Sequence, residues 1–328
     1  MSKTDNVKGY ENKNINWYPG HMAKAKKMMQ ENIKLIDVVV EILDARIPAS
    51  SKNPDIDELA KGKYRVLLLN KSDMADQEKT NVWKKYYEEK GFFVSIVNSK
   101  TGAGVKNTTE IIQKACQEKI ERDRKKGILA RPLRAMIAGI PNSGKSTFIN
   151  SFAGKACAKT GNKPGVTTGK QWIRINKYVE LLDTPGILWP KFEDPKTGLH
   201  IAFIGSINDD ILYPEDMAYE LIKILMKDYP GVLNERYGID PGAHDGQNDI
   251  TEHHENDEGS KNIKTEDIEN DKNLEDRESS PVEILEMIGR KRGCLKKGAE
   301  VDLTKASKLL IDDFRTQKLG KITLELPE

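Results

Sequence analysis

GIPNSGKS, residues Gly139 to Ser146, ends the apolar run RPLRAMIAGI (Arg131 to Ile140) and runs into a helical stretch, Lys145 to Phe152. It matches G-x-x-x-x-G-K-S with a strand before it and a helix after it, the setting in which this pattern cradles phosphate. The glycines allow a tight turn. Backbone N–H groups around Asn142, Ser143, Gly144 and Lys145 then face a ligand at a helix N-terminus, where partial positive charge favours an anion. Lys145 is expected to reach the β- and γ-phosphates and Ser146 to bind Mg²⁺, with Thr147 completing the loop. A strand that runs into this loop implies an α/β fold with a mostly parallel sheet. The bland alternative, a chance glycine-rich turn, does not account for the flanking strand and helix.

Working outward, the remaining motifs stand in an unusual order. NKSD (Asn70 to Asp73) and NSK (Asn98 to Lys100) precede the phosphate loop, whereas PGVTT (Pro164 to Thr168) and DTPG (Asp183 to Gly186) follow it. NKSD ends the apolar run YRVLLL (Tyr64 to Leu69), at a strand end where open α/β sheets place ligands. The Asp73 carboxylate can accept from guanine N1–H and the 2-amino group, a donor pair that adenine lacks. Asn70 is expected to hold the loop and base edge, and the Lys71 stem to cover the base face. Asn98, Ser99 and Lys100 form a second strand-end loop, in which a backbone N–H of Ser99 or Lys100 can reach guanine O6. Asp183 is expected to hold the metal through water and the Gly186 N–H to contact the γ-phosphate. Thr167, or failing that Thr168, is the switch hydroxyl on Mg²⁺. An ordinary GTPase reads phosphate, switches and then base; here the base elements come first, which indicates a circular permutation. Ile187 follows DTPG where many GTPases carry a water-orienting glutamine. Hydrolysis therefore depends on a partner or on another polar group.

Short apolar runs at Asp37 to Leu43, Tyr64 to Leu69 and Gly91 to Val97 read as buried parallel strands. QWIRI and YVELLD, joined by Asn176 and Lys177, read as a hairpin. Helices are expected over 22–36, 77–90 and 104–120. Beyond about residue 195 the pattern turns helical, with stripes at Met217, Leu221, Ile224 and Leu225; at Val282, Leu285, Met287 and Ile288; and at Leu303, Ala306, Leu309, Leu310 and Phe314. The expected organisation is a permuted P-loop GTPase domain over 1–200 and a small all-helical domain over 201–328.

Residues 244–280 hold thirteen acidic and four basic residues, a balance of −9 that leaves +11 on the rest of a chain totalling +2. That stretch has few large apolar residues and is expected to be a disordered insert. The basic remainder favours a polyanion. Cations gather at Lys119, Arg122, Arg124, Lys125, Lys126, Arg131 and Arg134, and again at Arg290, Lys291, Arg292, Lys296 and Lys297. Such runs are often only solvated helix faces, but the second is dense enough to favour RNA. Cys116, Cys157 and Cys294 stand singly, with no zinc or redox pair. No apolar run approaches a membrane span and the N-terminus lacks the apolar centre of a secretory signal, so a cytoplasmic setting without membrane contact is expected.

Several further strings carry a family resemblance. NWYPGHM (Asn16 to Met22), LDARIPASSKNP (Leu43 to Pro54), DTPGILWPKFED (Asp183 to Asp194) and GRKRGCL (Gly289 to Leu295) resemble the blocks of the ribosome biogenesis GTPase A family (RbgA/YlqF type). The resemblance implies a circularly permuted GTPase that promotes late assembly of the large (50S) ribosomal subunit and binds its rRNA and proteins as a monomer. The ligands implied are GTP or GDP and Mg²⁺. The family's proposed catalytic histidine matches His21, which the resemblance casts as positioning water in place of the absent glutamine; a turn histidine capping the next helix is the plainer reading. Asn142 also resembles the asparagine that helps hold K⁺ in potassium-stimulated GTPases. Two other readings compete. One is a permuted GTPase of the small subunit, for which the zinc module or N-terminal barrel is missing. The other is a nucleotide-gated RNA-binding module with negligible turnover.

Overall fold

The computed structural model describes residues 20–128, 131–158, 171–208, 213–241 and 279–327. The chain forms two compact units, Met1–Tyr213 with Phe314–Glu328, and Pro214–Asp313. The segment after Phe314, which the sequence reading attaches to the C-terminal helices, thus packs with the first unit.

The first unit is built on six strands: β1 (Val38–Asp44), β2 (Tyr64–Asn70), β3 (Phe93–Ile96), β4 (Leu133–Ala138), β5 (Gln171–Arg174) and β6 (Val179–Asp183). They lie in the order β3-β2-β1-β4-β6-β5, all parallel except β5, which pairs antiparallel with β6. Around them are α1 (Gly20–Asn32), α2 (Pro54–Leu59), α3 (Gln77–Glu89), α4 (Thr108–Ala115), α5 (Gln117–Lys125), α6 (Lys145–Ala153) and α7 (Pro195–Phe203). Side-chain alternation sends Val66 and Leu68 into one core with Ile137, Ile112 and Phe148, and Leu67 and Leu69 into another with Trp83 and Tyr87. Helices therefore cover both faces, and β1 is buried along its whole length.

That burial makes Glu41 unusual. Its carboxylate accepts from the Asn53 N–H at 3.0 Å and from Arg65 Nη2 at 2.8 Å. Burial nevertheless pushes its pKa up.

The sheet accommodates the permutation at the β1–β4 pair, in register from Val38↔Ala135 to Glu41↔Ala138. The base-reading half (β1 to β3) and the phosphate half (β4 to β6) meet there through ladder hydrogen bonds. Strand pairing does not depend on which half the chain visits first.

The single helix expected over 104–120 is two, α4 and α5, separated at the buried Cys116. Its start is delayed because Gly104 has φ +74 and a Cβ there would meet the Ile96 carbonyl at 2.4 Å. The helix expected over 22–36 begins at Gly20 and tightens to a 3₁₀ turn over Ile33–Leu35.

The second unit holds α8 (Pro214–Asp228), α9 (Val232–Tyr237), α10 (Pro281–Lys291) and most of α11 (Leu303–Arg315). A capping box between Ser280 and Glu283 starts α10. Asp313 accepts from Arg236 Nε at 2.8 Å and from the Tyr237 hydroxyl at 3.0 Å. On α10 the inward face is Ile284, Leu285, Ile288 and Gly289, while Val282, expected inside, is exposed. Most of the acidic stretch, residues 242–278, lies outside the described residues.

Candidate nucleotide-binding site

The site lies at the carboxyl ends of β1, β2, β4 and β6, where parallel strands leave their loops on one edge. The phosphate loop is held in a strained shape. Gly139 has φ +143 and its Cβ would meet the Ile42 carbonyl at 2.6 Å; Gly144, at φ +94, would drive a Cβ to 2.3 Å from Asn70 Nδ2. Asn142, at φ +58, adopts the left-handed region without being glycine, and its amide donates to the Gly205 carbonyl. Gly144 precedes α6, so the first-turn N–H groups from Lys145 onward have no acceptor within the helix. Ser143 is buried, Ser146 half-buried and Thr147 exposed.

One side chain joins the base loops to this cradle. Asn70 Nδ2 donates to the Ser143 carbonyl at 2.8 Å, while Asn70 Oδ1 accepts from the Ser99 N–H at 3.1 Å and the Ser99 hydroxyl at 2.7 Å. Residues far apart in the chain thus share one hydrogen-bond centre. Asn98 Oδ1 accepts from the N–H groups of Lys100 at 2.9 Å and Thr101 at 3.1 Å, closing the second loop. The Ser99 and Lys100 N–H groups already donate within the protein, so contact with guanine O6 requires one of these bonds to be shared. Asp73 is half-buried, in reach of solvent.

Lys71, at φ +58, places Nζ 2.9 Å from Asp44 Oδ2, an ion pair the motifs did not announce. Asp44 also receives Arg46 through Nε at 2.9 Å and Nη2 at 2.8 Å. Burial alone would push the Asp44 carboxyl up, but Arg46 and Lys71 hold it far below the usual carboxylate range. Burial lowers the Lys71 ammonium, with Asp44 partly restoring it. LDAR at a strand end signals that a buried Asp44 needs a cationic partner, though not that Lys71 is one.

On the phosphate side the charges are less well satisfied. Lys145 is buried, donates to the Ile140 carbonyl at 2.7 Å, and is lowered to about 8 by burial, against the pull of Asp183. Asp183 is 2 % exposed, and its Oδ1 has no hydrogen-bond partner. Burial raises its carboxyl to about 6, with Lys145 opposing. Gly186 sits against Lys145 and the phosphate loop: a Cβ there would lie 2.7 Å from Lys145 Nζ and 2.8 Å from Pro141 Cα. The buried Thr184 hydroxyl donates to the Ile137 carbonyl, and the Ile187 N–H donates to the Gly139 carbonyl at 3.3 Å. Ile187 is buried, and its carbonyl accepts Asn53 Nδ2 at 3.0 Å. Thr167 and Thr168 lie outside the described residues. His21 stands in the first turn of α1.

A cavity of about 370 Å³ lies apart from the phosphate loop, between α1, α2 and Ile187. Among the described residues no His/Cys/Asp/Glu group is arranged as a metal cluster, and no helix is long and apolar enough to cross a membrane.

A family model described as a 50S ribosome-binding GTPase matches residues 134–233. It starts within β4, so NKSD and NSK fall before it, as a permuted chain requires. The chain is 45% identical over 314 residues to the ribosome biogenesis GTPase A of Bacillus cereus, covering 96% of this chain and 94% of that protein. It is 43% identical to the protein of the same name from Priestia megaterium, covering 95% and 97%. Its fold is similar to the GNP-bound crystal structure of YlqF from T. maritima, with TM-score 0.59 and 24% identity over 93% of this chain and 99% of that one. At this identity and coverage, with a phosphate loop and guanine motifs on one sheet edge, the chain belongs to the ribosome biogenesis GTPase A family and is a GTP hydrolase with a circularly permuted P-loop domain.

Proposed function

We propose that this protein binds the maturing large (50S) ribosomal subunit in its GTP form, promotes late assembly, and hydrolyses GTP to GDP and phosphate when the particle stimulates it. The observation that carries the nucleotide reading is the Asn70 centre, which ties NKSD, NSK and the phosphate loop to one another. Within it Asp73 reads guanine, and Asn70, Asn98, Ser99 and Lys100 support the base loop. The Lys71 stem lies along the base. The N–H groups of Asn142 to Thr147 and the Lys145 ammonium hold the phosphates.

The partnerless, buried Asp183 Oδ1 fits a water-coordinated Mg²⁺, with the Ser146 hydroxyl and Thr167 as its other protein contacts. When bound, Mg²⁺ neutralises charge developing on the phosphate oxygens. Gly186 leaves room for the γ-phosphate beside Lys145. His21 positions water where Ile187 cannot. Asn142 turns from Gly205 to help hold K⁺, which an acceleration by K⁺ over Na⁺ would test.

The polyanionic partner is supported by exposed cations. Arg290, Lys291, Arg292, Lys296 and Lys297 are all exposed on the second unit. In the first basic run, Arg131 and Lys119 are engaged with Asp37 and Arg134 with Glu180, leaving Arg122, Arg124, Lys125 and Lys126 exposed. That run serves partly as intramolecular pairing; in the second, Arg292 donates to the Arg236 carbonyl and lies over the Tyr237 ring, while Arg290, Lys291, Lys296 and Lys297 are offered to rRNA phosphates. The reading includes a cytoplasmic monomer without membrane contact.

Sedimentation of GTP-loaded protein with small, immature large and mature large subunits tests the partner. Co-migration with the immature large particle is expected, weakening steeply with salt. Recovery only with small subunits, or with none, overturns the reading. Single-turnover GTP cleavage with and without large subunits tests stimulation. The buried Ile187 favours one other outcome, a nucleotide-gated RNA-binding module, which the absence of any acceleration would reveal.

A further inference from the structure

After α11 the chain crosses back over the nucleotide-binding unit, and its contacts fall on the loop that carries the guanine determinant. Gln317 Nε2 donates to the Asp73 carbonyl at 2.6 Å. The Ile322 N–H donates to the Met74 carbonyl at 3.1 Å, and the Asp76 N–H donates to Thr323 Oγ1 at 3.1 Å. The Leu324 N–H reaches the Arg46 carbonyl at 2.8 Å, and Trp83 Nε1 the Glu325 carbonyl at 2.9 Å. Leu319, Ile322 and Leu324 are buried, so this segment is packed in place.

Gln317 itself is strained, with φ +66. A helix C-terminus that needs this conformation is ordinarily served by glycine or asparagine. A glutamine there carries a backbone penalty that a glycine would avoid. Its side chain is the part that does something: it reaches the peptide of the residue whose carboxylate selects the base. At its far end the same segment is anchored through Glu325, which accepts from the Ser50 hydroxyl at 2.6 Å and lies 2.9 Å from His200 Nδ1 of α7.

We propose that residues 317–325 form a strap that fixes the pose of the base-reading loop, with Gln317 as a positioning residue for guanine discrimination. The proposal rests on Asp73 as the guanine reader. With the Asp73 carbonyl held, the carboxylate is presented at the right height for guanine N1–H and the 2-amino group. Without that hold the loop samples other poses, and the loss falls chiefly on nucleotides that carry the 2-amino group.

The test compares GTP and ITP, which lacks that amino group, in full-length protein and the Gln317→Gly variant. Glycine relieves the left-handed strain while removing the side-chain bond. Thermal stability is therefore expected to be equal or higher. GTP affinity is expected to fall about two- to tenfold, the size of one lost neutral hydrogen bond. ITP affinity should fall less, so the GTP/ITP ratio narrows. Gln317→Glu keeps the length but offers no donor, and should narrow the ratio in the same way.

Unchanged GTP affinity in both variants overturns the proposal. So does a parallel loss of GTP and ITP, which marks a purely structural contact. Asp73→Asn measured alongside separates the two levels. If it shifts preference from GTP to XTP while the Gln317 variants are silent, only the strap fails; if it shifts nothing, the guanine reading fails and the strap with it.

Discussion

The base-reading loops and the phosphate loop meet at Asn70, yet they are organised in opposite ways. On the side proposed to read the base, the supporting polar groups are paired within the protein. Asn70 spends both ends of its amide on the protein, Asn98 closes its own turn, and Lys71 is paired with Asp44. On the phosphate side Asp183 has a buried oxygen without a partner and Lys145 is desolvated enough to fall to about 8. The difference teaches where each half obtains its affinity. A base reader must hold a shape before the ligand arrives, because discrimination fails when donors and acceptors are misplaced. A phosphate site gains by leaving charge unsatisfied until a polyanion and cation supply the missing partners.

Substitution of Lys145 attacks the unsatisfied side most directly. Lys145→Met should lower the rate of GTP cleavage about 10²- to 10³-fold, as loss of a transition-state charge contact does. A stopped assay on the particle-stimulated reaction checks it, and a change below tenfold would contradict the comparison.

The next effect is on pH. Asp183 is raised from 3.8 to about 6, so it binds its proton more tightly folded than unfolded. Its ionisation costs stability above about pH 6, and the cost fades as pH falls through that value toward 3.8. Lys145 is lowered from 10.5 to about 8; its charge costs stability below that value, and the cost fades as pH rises from 8 toward 10.5. Nucleotide-free protein should therefore gain stability from Asp183 on acidification from neutral pH, roughly 1 kcal/mol by about pH 5 and on the order of 3 kcal/mol once the pH is below 3.8. Melting curves of wild type and Asp183→Asn decide this: identical pH profiles would remove Asp183 as the source.

The base side is tested by Asp73→Asn. Exchanging the acceptor for an amide should weaken GTP by about 1.5–3 kcal/mol for each charged hydrogen bond lost, and favour XTP. Equilibrium binding of GTP, XTP and ATP measures it. The smallest expected effect is at the junction. Asn70→Ala leaves the Ser143 carbonyl and the Ser99 N–H unpaired, costing about 1–3 kcal/mol of stability. Urea denaturation should detect that loss without nucleotide, and a null result would mean the two halves are held together elsewhere.

Much of this was legible in the amino-acid order because motifs at strand ends have a local cause. GIPNSGKS needs its glycines for positive-φ backbone, which Gly139 and Gly144 both adopt. The strands at 38–44, 64–70 and 133–138 were readable from β-branched and apolar runs. What was not readable depended on side chains separated along the chain. Nothing near Ser99 announces that its N–H is taken by Asn70, and nothing in the stripe Val282, Leu285, Met287 and Ile288 says that Val282 faces out. A helical stripe has two edges, and only the partner surface decides which edge is covered. Gln317 was silent for the same reason, since a lone glutamine after a helix carries no pattern.

By itself the chain determined its ligand class and its permuted order, because phosphate and guanine chemistry demand particular atoms at short, local spacing. Tertiary structure alone decided that the C-terminal segment lies on the base-reading loop, that Lys71 answers Asp44, and that Asp183 keeps a buried oxygen without a partner. These are consequences of burial and distance between remote residues. Both quantities come into existence only when the sheet closes and water leaves.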